Sequence, residues 1–316
     1  MSRYIIKRIL MIIPVILGVS LLIYLVMEQA SGDAILQMNP DASPEQIEML
    51  RHQYGYDRSV FYRYFVYLKG LVQGNLGMSI TAHRPVMEIY FSRLPATVVL
   101  AVGSILVCNL ISIPLGIISA VKNGSLLDNG CMVLALLGLS MPNFWLGLLL
   151  IIAFALNLHW FPSFTASVDL HSVVLPAITI GTAHTALLTR TTRSSMIDVL
   201  RKDYLRTARA KGVSERKVIT KHALKNALIP IITISGTQFA NALGGAMLTE
   251  TVFAWPGVGR TIVAAINERD VPLATGCLIL TTTLSSLVLL LVDILYAYVD
   301  PRIKAQYAGK KRGHKK

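Results

Sequence analysis

Long charge-free runs alternate with short polar intervals along this chain, and the runs are far longer than the stripes of a soluble helix. Six apolar blocks, at 9–27, 95–121, 129 to about 158, 170–189, 226–249 and 271–292, are each long enough to predict a membrane-crossing helix. About 20 apolar residues suffice, because about 30 Å of hydrocarbon is covered at a helical rise of about 1.5 Å per residue. The fourth block is the weakest, being interrupted by His171, Pro176, Gly181 and His184. It is retained because omitting it would put the main basic loop on the wrong side of the membrane. The first block has an alternative reading as a secretory signal, with Arg3, Lys7 and Arg8 as its charged start and Ala30-Ser31-Gly32 as a cleavage site. Signal cores run about 7–15 residues, so the longer block 9–27 favours an uncleaved span.

Between the first two blocks lies one large polar segment, 28–94, whose pattern predicts local order. Ser43-Pro44-Glu45-Gln46 reads as a helix start, with Ser43 as cap, Pro44 at the first helical position and Gln46 completing a capping box. Gly55 or the region of Asp57 should end that helix. Phe61, Tyr64, Phe65, Leu68, Leu71 and Val72 then recur at helical spacing, which predicts an apolar face against the bilayer or the spans.

Charge fixes the expected orientation. The chain has 316 residues, is 53% hydrophobic and 15% charged, and carries a formal net charge of +13. With a cytoplasmic N-terminus, 22 of the 30 lysines and arginines fall on inner segments, ten of them between Arg193 and Lys225. Of the 17 acids, 11 fall outside. Both ends are then cytoplasmic, as the positive-inside rule demands. Because the basic excess follows loop sidedness, it gives no reason to expect a nucleic-acid partner. The tail KKRGHKK, 310–316, suits contact with anionic lipid or plain solvation. Cys108, Cys131 and Cys277 all sit in apolar blocks without paired spacing, so neither a disulfide framework nor a metal site is expected.

Catalytic chemistry is not written into the pattern. The seven histidines are scattered, and there is no HExxH, no GxSxG and no GxxxxGK[ST] sequence. No catalytic residue, metal or cofactor is expected, and a membrane enzyme is a weak reading. An ion-coupled secondary transporter usually needs ionisable groups at the midplane. The acid nearest a span's interior is Asp293, at the inner edge of the last block and about two turns from the cytoplasmic exit, where pairing or hydration is the simpler role. A pore driven by a separate cytoplasmic motor remains, and it requires a docking surface on the inner side.

The loop 190–227 is long for a mere connection. Leu205, Ala208 and Gly212 share one helical face, and Val218, Ile219, His222 and Ala223 a second. Gly212 can end the first short helix and turn the chain. The small residues Thr207, Ala208 and Ala210 would let that helix enter a cleft, with Arg206, Arg209 and Lys211 meeting acidic walls. A basic loop lying on anionic lipid is the competing reading. Two further places stand out. Ser140, Pro142 and Asn143 lie near the middle of the third block, where Pro142 can kink a helix or the polar pair can line a path. The run Glu250 to Arg260 predicts a turn with Phe253 and Trp255 at headgroup depth. Glu250, Phe253, Trp255, Pro256 and Gly257 are candidates for an outer gate.

The loop resembles the cytoplasmic loop of ATP-binding-cassette importer permeases, whose pattern is Glu-Ala-Ala, three residues, Gly, then a Leu-Pro-type ending. Arg206-Thr207-Ala208 stand where Glu-Ala-Ala would be, Gly212 matches the glycine, and Leu228-Ile229-Pro230 the ending. The glutamate and first alanine are absent, so no role of that acid carries over. GNLGMS (74–79), RLPAT (93–97), SMPNFWLG (140–147), DYLRTARAKGVSE (203–215), FAWPGVGR (253–260) and DPRI (300–303) extend the resemblance, in order, to the dipeptide/oligopeptide/nickel permease family. The resemblance implies an all-α, six-span type I importer fold in the plasma (inner) membrane. It implies a first span with a large outer segment (1–94), a five-span permease domain (95–300) and a basic tail (301–316). The implied partners are a second homologous permease, two cytoplasmic ATPases, an extracytoplasmic binding protein and membrane lipid. Residues Leu205 to Val213, including Arg206, Thr207, Ala208, Arg209, Ala210 and Gly212, would be the coupling helix and its turn. Small peptides are the expected cargo, with nickel or a metal chelate, glutathione and opines as alternatives.

Overall fold

A computed structural model describes residues 2–29, 42–55, 57–164 and 167–299. Ala30-Ser31-Gly32, the DPRI segment and the 301–316 tail therefore lie outside the described residues. Within them the chain is helical, and the sole extended pairing is an isolated bridge between Met78 and Pro85.

The N-terminal region contains α1 (Ser2–Gln29), α2 (Pro44–Tyr54) and α3 (Val60–Val72). Both signals read for α2 are present: Ser43 and Gln46 form the reciprocal capping box, and Gly55 closes the helix at φ +71°. The aromatic stripe on α3 divides. Tyr64 is buried against α1, donating to the Leu17 carbonyl at 2.9 Å and sharing a hydrogen bond with Ser20 at 3.0 Å. Phe61, Phe65 and Val72 point the other way and are exposed. The face is thus split: Phe61, Phe65 and Val72 lie about 60–100° round the helix from Tyr64, whereas Leu68 and Leu71, within about 40° of it, pack into the same cluster.

The permease core is built around α4 (Val86–Val121), a 36-residue helix about 54 Å long. Next come α5 (Leu126–Ser140) and α6 (Asn143–Leu150), the latter continued by a π-helical stretch, Ile151–Asn157. Then follow α7 (Val174–Ala183), α8 (Thr185–Leu200) and the short α9 (Asp203–Ala210). A near-continuous rod, α10, begins at Glu215–Lys217, widens to a π-turn over Val218–Ala223 and runs through Leu224–Gly245. The chain ends in α11 (Met247–Val252), α12 (Val258–Asn267) and α13 (Val271–Val299).

Close helix contact is made with small residues, as a lipid environment favours. Gly116 on α4 faces Thr192 and the Thr189 carbonyl of α8 so closely that an added Cβ would lie 2.5 Å from the Thr192 side chain. Gly181 on α7 likewise meets the Ser104 carbonyl of α4. Buried polar groups are tied down locally. Ser112 donates to the Thr185 carbonyl, and Asn109 accepts from Ser235 across the α4–α10 contact.

Two predicted spans take a different form. The third block is broken: α5 and α6 meet at 96°, far beyond a kink. Pro142 has no N–H to continue the ladder and forces Met141 out of the helical region, to φ −94° and ψ 131°, so the chain restarts at Asn143. The fourth block is a ten-residue helix, α7, interrupted at His184 before α8. Among the described residues, four single helices are long and apolar enough to cross a bilayer, at Ile9–Val26, Val86–Val121, Glu215–Gly244 and Val271–Leu295. The α5–α6 pair adds a fifth crossing if it is one broken span.

Candidate functional site

At one end of the bundle, the α9 helix is anchored chiefly by Leu205, with Tyr204 also accepting from Asn226 of α10 at 3.0 Å. Leu205 is completely buried in a cluster with Leu188 and Met196 of α8 and Val218, Ala223 and Ala227 of α10. Ala208 and Val213 pack beside it. The turn forms as its sequence dictates: Gly212 takes φ +76°, donates to the Arg209 carbonyl at 2.9 Å, and lets Val213 donate to Ala208 at 3.2 Å. The second face read in the loop is real as well, with Val218 and Ala223 buried and Ile219 and His222 half-buried.

The outward face differs from the expected one. Ala208 was expected to help insertion, but it lies three residues from Leu205 and shares its inward stripe. Arg209 was expected to meet an acidic partner, but its guanidinium donates twice to Glu215, at 3.0 and 2.9 Å. Arg206, Thr207, Ala210 and Lys211 remain exposed beside Gly212. The helix therefore offers a small, cationic surface while its other side is clamped to α8 and α10.

Another tie on α8 is an ion pair invisible in the linear pattern. Asp128, buried at the start of α5, accepts from Arg193 Nε at 2.8 Å and from its Nη2 at 2.7 Å, and from the Gly124 N–H at 2.9 Å. Ser119 donates to the same carboxylate, and Arg193 also donates to Asn123. The pair ties α8 to the α4–α5 turn. The partners are 65 residues apart, and neither belongs to a motif that would have paired them.

At the elbow, Ser140 and Pro142 are exposed and Asn143 is half-buried. Ser140 returns its hydroxyl to the Leu136 carbonyl at 3.0 Å. Elsewhere in the core, α10 carries a polar row not singled out from the sequence. Thr233 and Thr237 are half-buried and Asn241 is exposed, at intervals of four residues.

The opposite end of α10 leads into the Glu250 to Arg260 run. Here Phe253 and Trp255, expected in a turn at headgroup depth, are buried within the protein. Trp255 donates its indole N–H to the Ala96 carbonyl of α4 at 2.9 Å, so its polar edge needs no water. Phe253 packs against Ala155 and Leu175. Glu250, also fully buried, is the centre of the arrangement. It accepts from the Thr97 hydroxyl at 2.8 Å and from the Arg260 N–H at 2.9 Å, while Thr97 accepts from the Val258 N–H at 2.8 Å. Burial pushes the Glu250 carboxyl above its ordinary range, against the pull of Arg260, Thr97 and Gly259. The glycines make this possible. A Cβ on Gly257 would lie on top of the Glu250 carboxyl group, and one on Gly259 would meet Met247 and the same carboxyl. Glu250, Trp255, Pro256 and Gly257 thus form one knot that fastens α11 and α12 to α4.

A third buried acid, Asp270, makes a similar fastening. It caps α13 through the Leu273 N–H and accepts from the hydroxyls of Ser79 at 2.6 Å and Thr81 at 3.0 Å. Among the described residues, no group of three or more His, Cys, Asp or Glu side chains is placed to hold a metal ion. The half-buried Asp293 lies on α13.

Comparison with known proteins covers nearly all of this architecture. Residues 112–305 match the family described as binding-protein-dependent transport system inner membrane component. Residues 1–101 match the N-terminal family of the same membrane components. The oligopeptide transport system permease protein AppB of Bacillus subtilis is 41% identical over 315 residues, covering 96% of this chain and 100% of the relative. The di/tripeptide transport system permease protein DppB of Pseudomonas aeruginosa is 38% identical, covering 97% and 100%. The glutathione transport system permease protein GsiC of Escherichia coli is 40% identical, covering 96% and 99%. An inward-facing structure of the MetNI methionine ABC transporter has the same fold over 68% of this chain and 97% of its own, with TM-score 0.56 and 17% identity. Coverage from the first helix to the last, at this level of identity, places the chain in the family of binding-protein-dependent ABC transporter permeases, as an inner-membrane component.

Proposed function

We propose that this chain forms half of the membrane path of an ATP-driven importer of small peptides. Its partners would be a second homologous permease, two cytoplasmic ATPases and an extracytoplasmic binding protein. The cargo reading rests on the oligopeptide and di/tripeptide permeases among its near-full-length relatives. The glutathione permease keeps a second cargo in play, itself a tripeptide. In this reading the α7–α8 pair completes six crossings, both ends are cytoplasmic, and α9 faces the cytoplasm.

The observation that carries the mechanism is the fixture of α9. Its anchor, Leu205, is shared between α8 and α10, so a load on the exposed Arg206, Thr207, Ala210 and Lys211 surface moves both helices as packed bodies. Residues Glu215–Gly244 of α10 then run about 45 Å to the Glu250 knot. Motion received by α9 reaches the opposite face through one continuous element. The uncharged row of Thr233, Thr237 and Asn241 suits a peptide path, since such groups bond backbone amides without demanding one side-chain charge. Ser140 and Asn143 at the elbow are its expected companions.

The test is reconstitution of the assembled complex with its ATPases and binding protein. ATP-dependent uptake of labelled peptides of two to five residues is expected. Uptake by this chain without any ATPase, or ATP-driven uptake of glutathione with no peptide uptake, would overturn the respective part of the reading.

A further inference from the structure

We infer that the π-turn at Val218–Ala223 is a register switch: during the transport cycle it tightens to α geometry, sets Ile219 in the place of Val218 against Leu205, and thereby tips α9 about that anchor. The inference rests on α9 being the docking helix, a role that Gly212→Asp tests separately.

The widened turn is what lets the anchor close as it does. Val218 and Ala223 are both fully buried in the cluster around Leu205. Five residues of α-helix, at about 100° each, would set them about 140° apart, on different faces. A turn closed from i to i+5, as the Leu224 N–H closes on the Ile219 carbonyl, brings them onto one side. An α register has an equally apolar answer. Ile219, Ala223 and Ala227 recur at intervals of four, and Ile219 already lies half-buried against the same cluster. One residue of slip therefore exchanges one β-branched aliphatic side chain for its neighbour at the anchor. Side chains also cover the backbone on both sides of the turn. Thr220 donates to the Arg216 carbonyl at 2.7 Å, and Asn226 donates to the His222 carbonyl at 2.9 Å. Moving the ladder bonds leaves neither carbonyl bare. Two packings of similar burial are what a bistable joint requires.

The joint also has a lever. Glu215, at the start of α10, is held by the Arg209 guanidinium through two hydrogen bonds, at 3.0 and 2.9 Å. Tightening the turn swings Glu215 by about 100° round the α10 axis relative to the residues beyond Leu224. Arg209 lies on the C-terminal half of α9, past Leu205, so the swing pulls that half while Leu205 stays as the pivot. The exposed Arg206, Thr207, Ala210 and Lys211 surface is re-aimed with it. Because α10 stays unbroken in both registers, a push along its length is still passed on. Turns of this kind inside α-helices are rare and concentrate at functional sites.

The experiment uses the assembled complex with its ATPases and binding protein, spin-labelled through Arg216→Cys and Lys225→Cys. Both positions are exposed, one on each side of the turn, and the native cysteines are buried. Dipolar EPR reads the label separation without nucleotide and after trapping with ATP and orthovanadate. In an all-α register the two positions lie about 180° apart round the helix, and the widened turn brings them about 100° closer. Trapping is therefore expected to lengthen the separation by about 3 Å, for labels carried about 6 Å off the axis. Ile219→Ala removes the side chain that the α register buries and should cut the long-separation population roughly tenfold, with uptake falling while hydrolysis continues. Val218→Ala should raise that population roughly tenfold before nucleotide is added. An unchanged separation on trapping, or the same response to both substitutions, would overturn the switch. Ile219 is only half-buried, so Ile219→Ala supplies the reading alone should Val218→Ala fail to assemble. A fixed separation in a complex that Gly212→Asp still uncouples would overturn the switch and leave the docking role of α9 standing.

Discussion

Replacing Gly257 by alanine isolates the knot at Glu250. Gly257 has φ −95°, so alanine brings no backbone strain, and any cost comes from space alone. The new Cβ would sit 2.4 Å from the Glu250 carboxyl carbon and both of its oxygens, roughly 1 Å inside ordinary contact. The carboxyl group must therefore leave Thr97 and Arg260, which hold it at 2.8 and 2.9 Å. Overpacking a filled site costs about 1–3 kcal/mol. Each buried donor left unsatisfied costs about 1–3 kcal/mol. Allowing the displaced group to re-pair in part, the total is about 3 kcal/mol. At about 2 °C per kcal/mol, the low end of the range and the end that suits a larger chain, the thermal midpoint in detergent should fall by about 6 °C. Gly130→Ala is the matched control, since nothing lies within 4 Å of its added carbon; it should hold or raise the midpoint. A cycle with Glu250→Ala completes the assay, because removing the carboxyl clears the space. Gly257→Ala in that background should be nearly neutral, a coupling of about 3 kcal/mol. An unshifted midpoint, or the same loss with and without Glu250, would refute the reasoning.

Gly212→Asp should insert and assemble, because the cost is confined to a left-handed residue with open space around it, about 1–2 kcal/mol, yet uptake should fall away from ATP hydrolysis. Unchanged coupling in the reconstituted complex would count against α9 as the docking helix. A cysteine at the exposed Ser214 should react with an impermeant maleimide only from the cytoplasmic side, and labelling in intact cells would reverse the orientation. Arg193→Met should cost about 3 kcal/mol by leaving buried Asp128 unpaired, and adding Asp128→Asn should recover part of it; a double variant no better than the single would show the pair is not the cause. For Glu250, a folded-state pKa above the unfolded value of about 4.3 means its stabilisation is complete below that value and lost as pH rises through the folded pKa. Glu250→Gln should flatten that decline, and parallel pH profiles for the two proteins would argue against a buried, proton-retaining carboxyl.

What the sequence made legible was local. The capping box at Ser43, the stop at Gly55 and the turn at Gly212 each depend on neighbours within a few residues, and each is where its pattern put it. Long apolar blocks were legible for the same reason, since crossing length is a property of one segment. The proline at 142 announced a break, but its size depends on how α6 packs, and a kink became a right angle. The burial of Trp255 and Phe253 was not legible, because aromatic character fits an exposed interface equally well. Only the Ala96 carbonyl and the Gly147 surface, distant in sequence, decide for burial. Asp128 with Arg193, and Asp270 with Ser79 and Thr81, escaped notice because such partners meet only after folding. On α9 the anchor Leu205 and the turn were readable, whereas the engagement of Arg209 by Glu215 was not.

The leaning of α1 on α13 and α3 has a mechanical corollary. That first helix touches the rest of the bundle chiefly through a single neighbouring crossing, and most of its circumference is bare hydrocarbon. Whatever swing the remaining helices execute during a transport cycle, this one must travel as a passenger of α13, like an outrigger lashed to one side of a hull. Labels placed on it would report the roll of that single beam through the bilayer and stay blind to any parting of the gate.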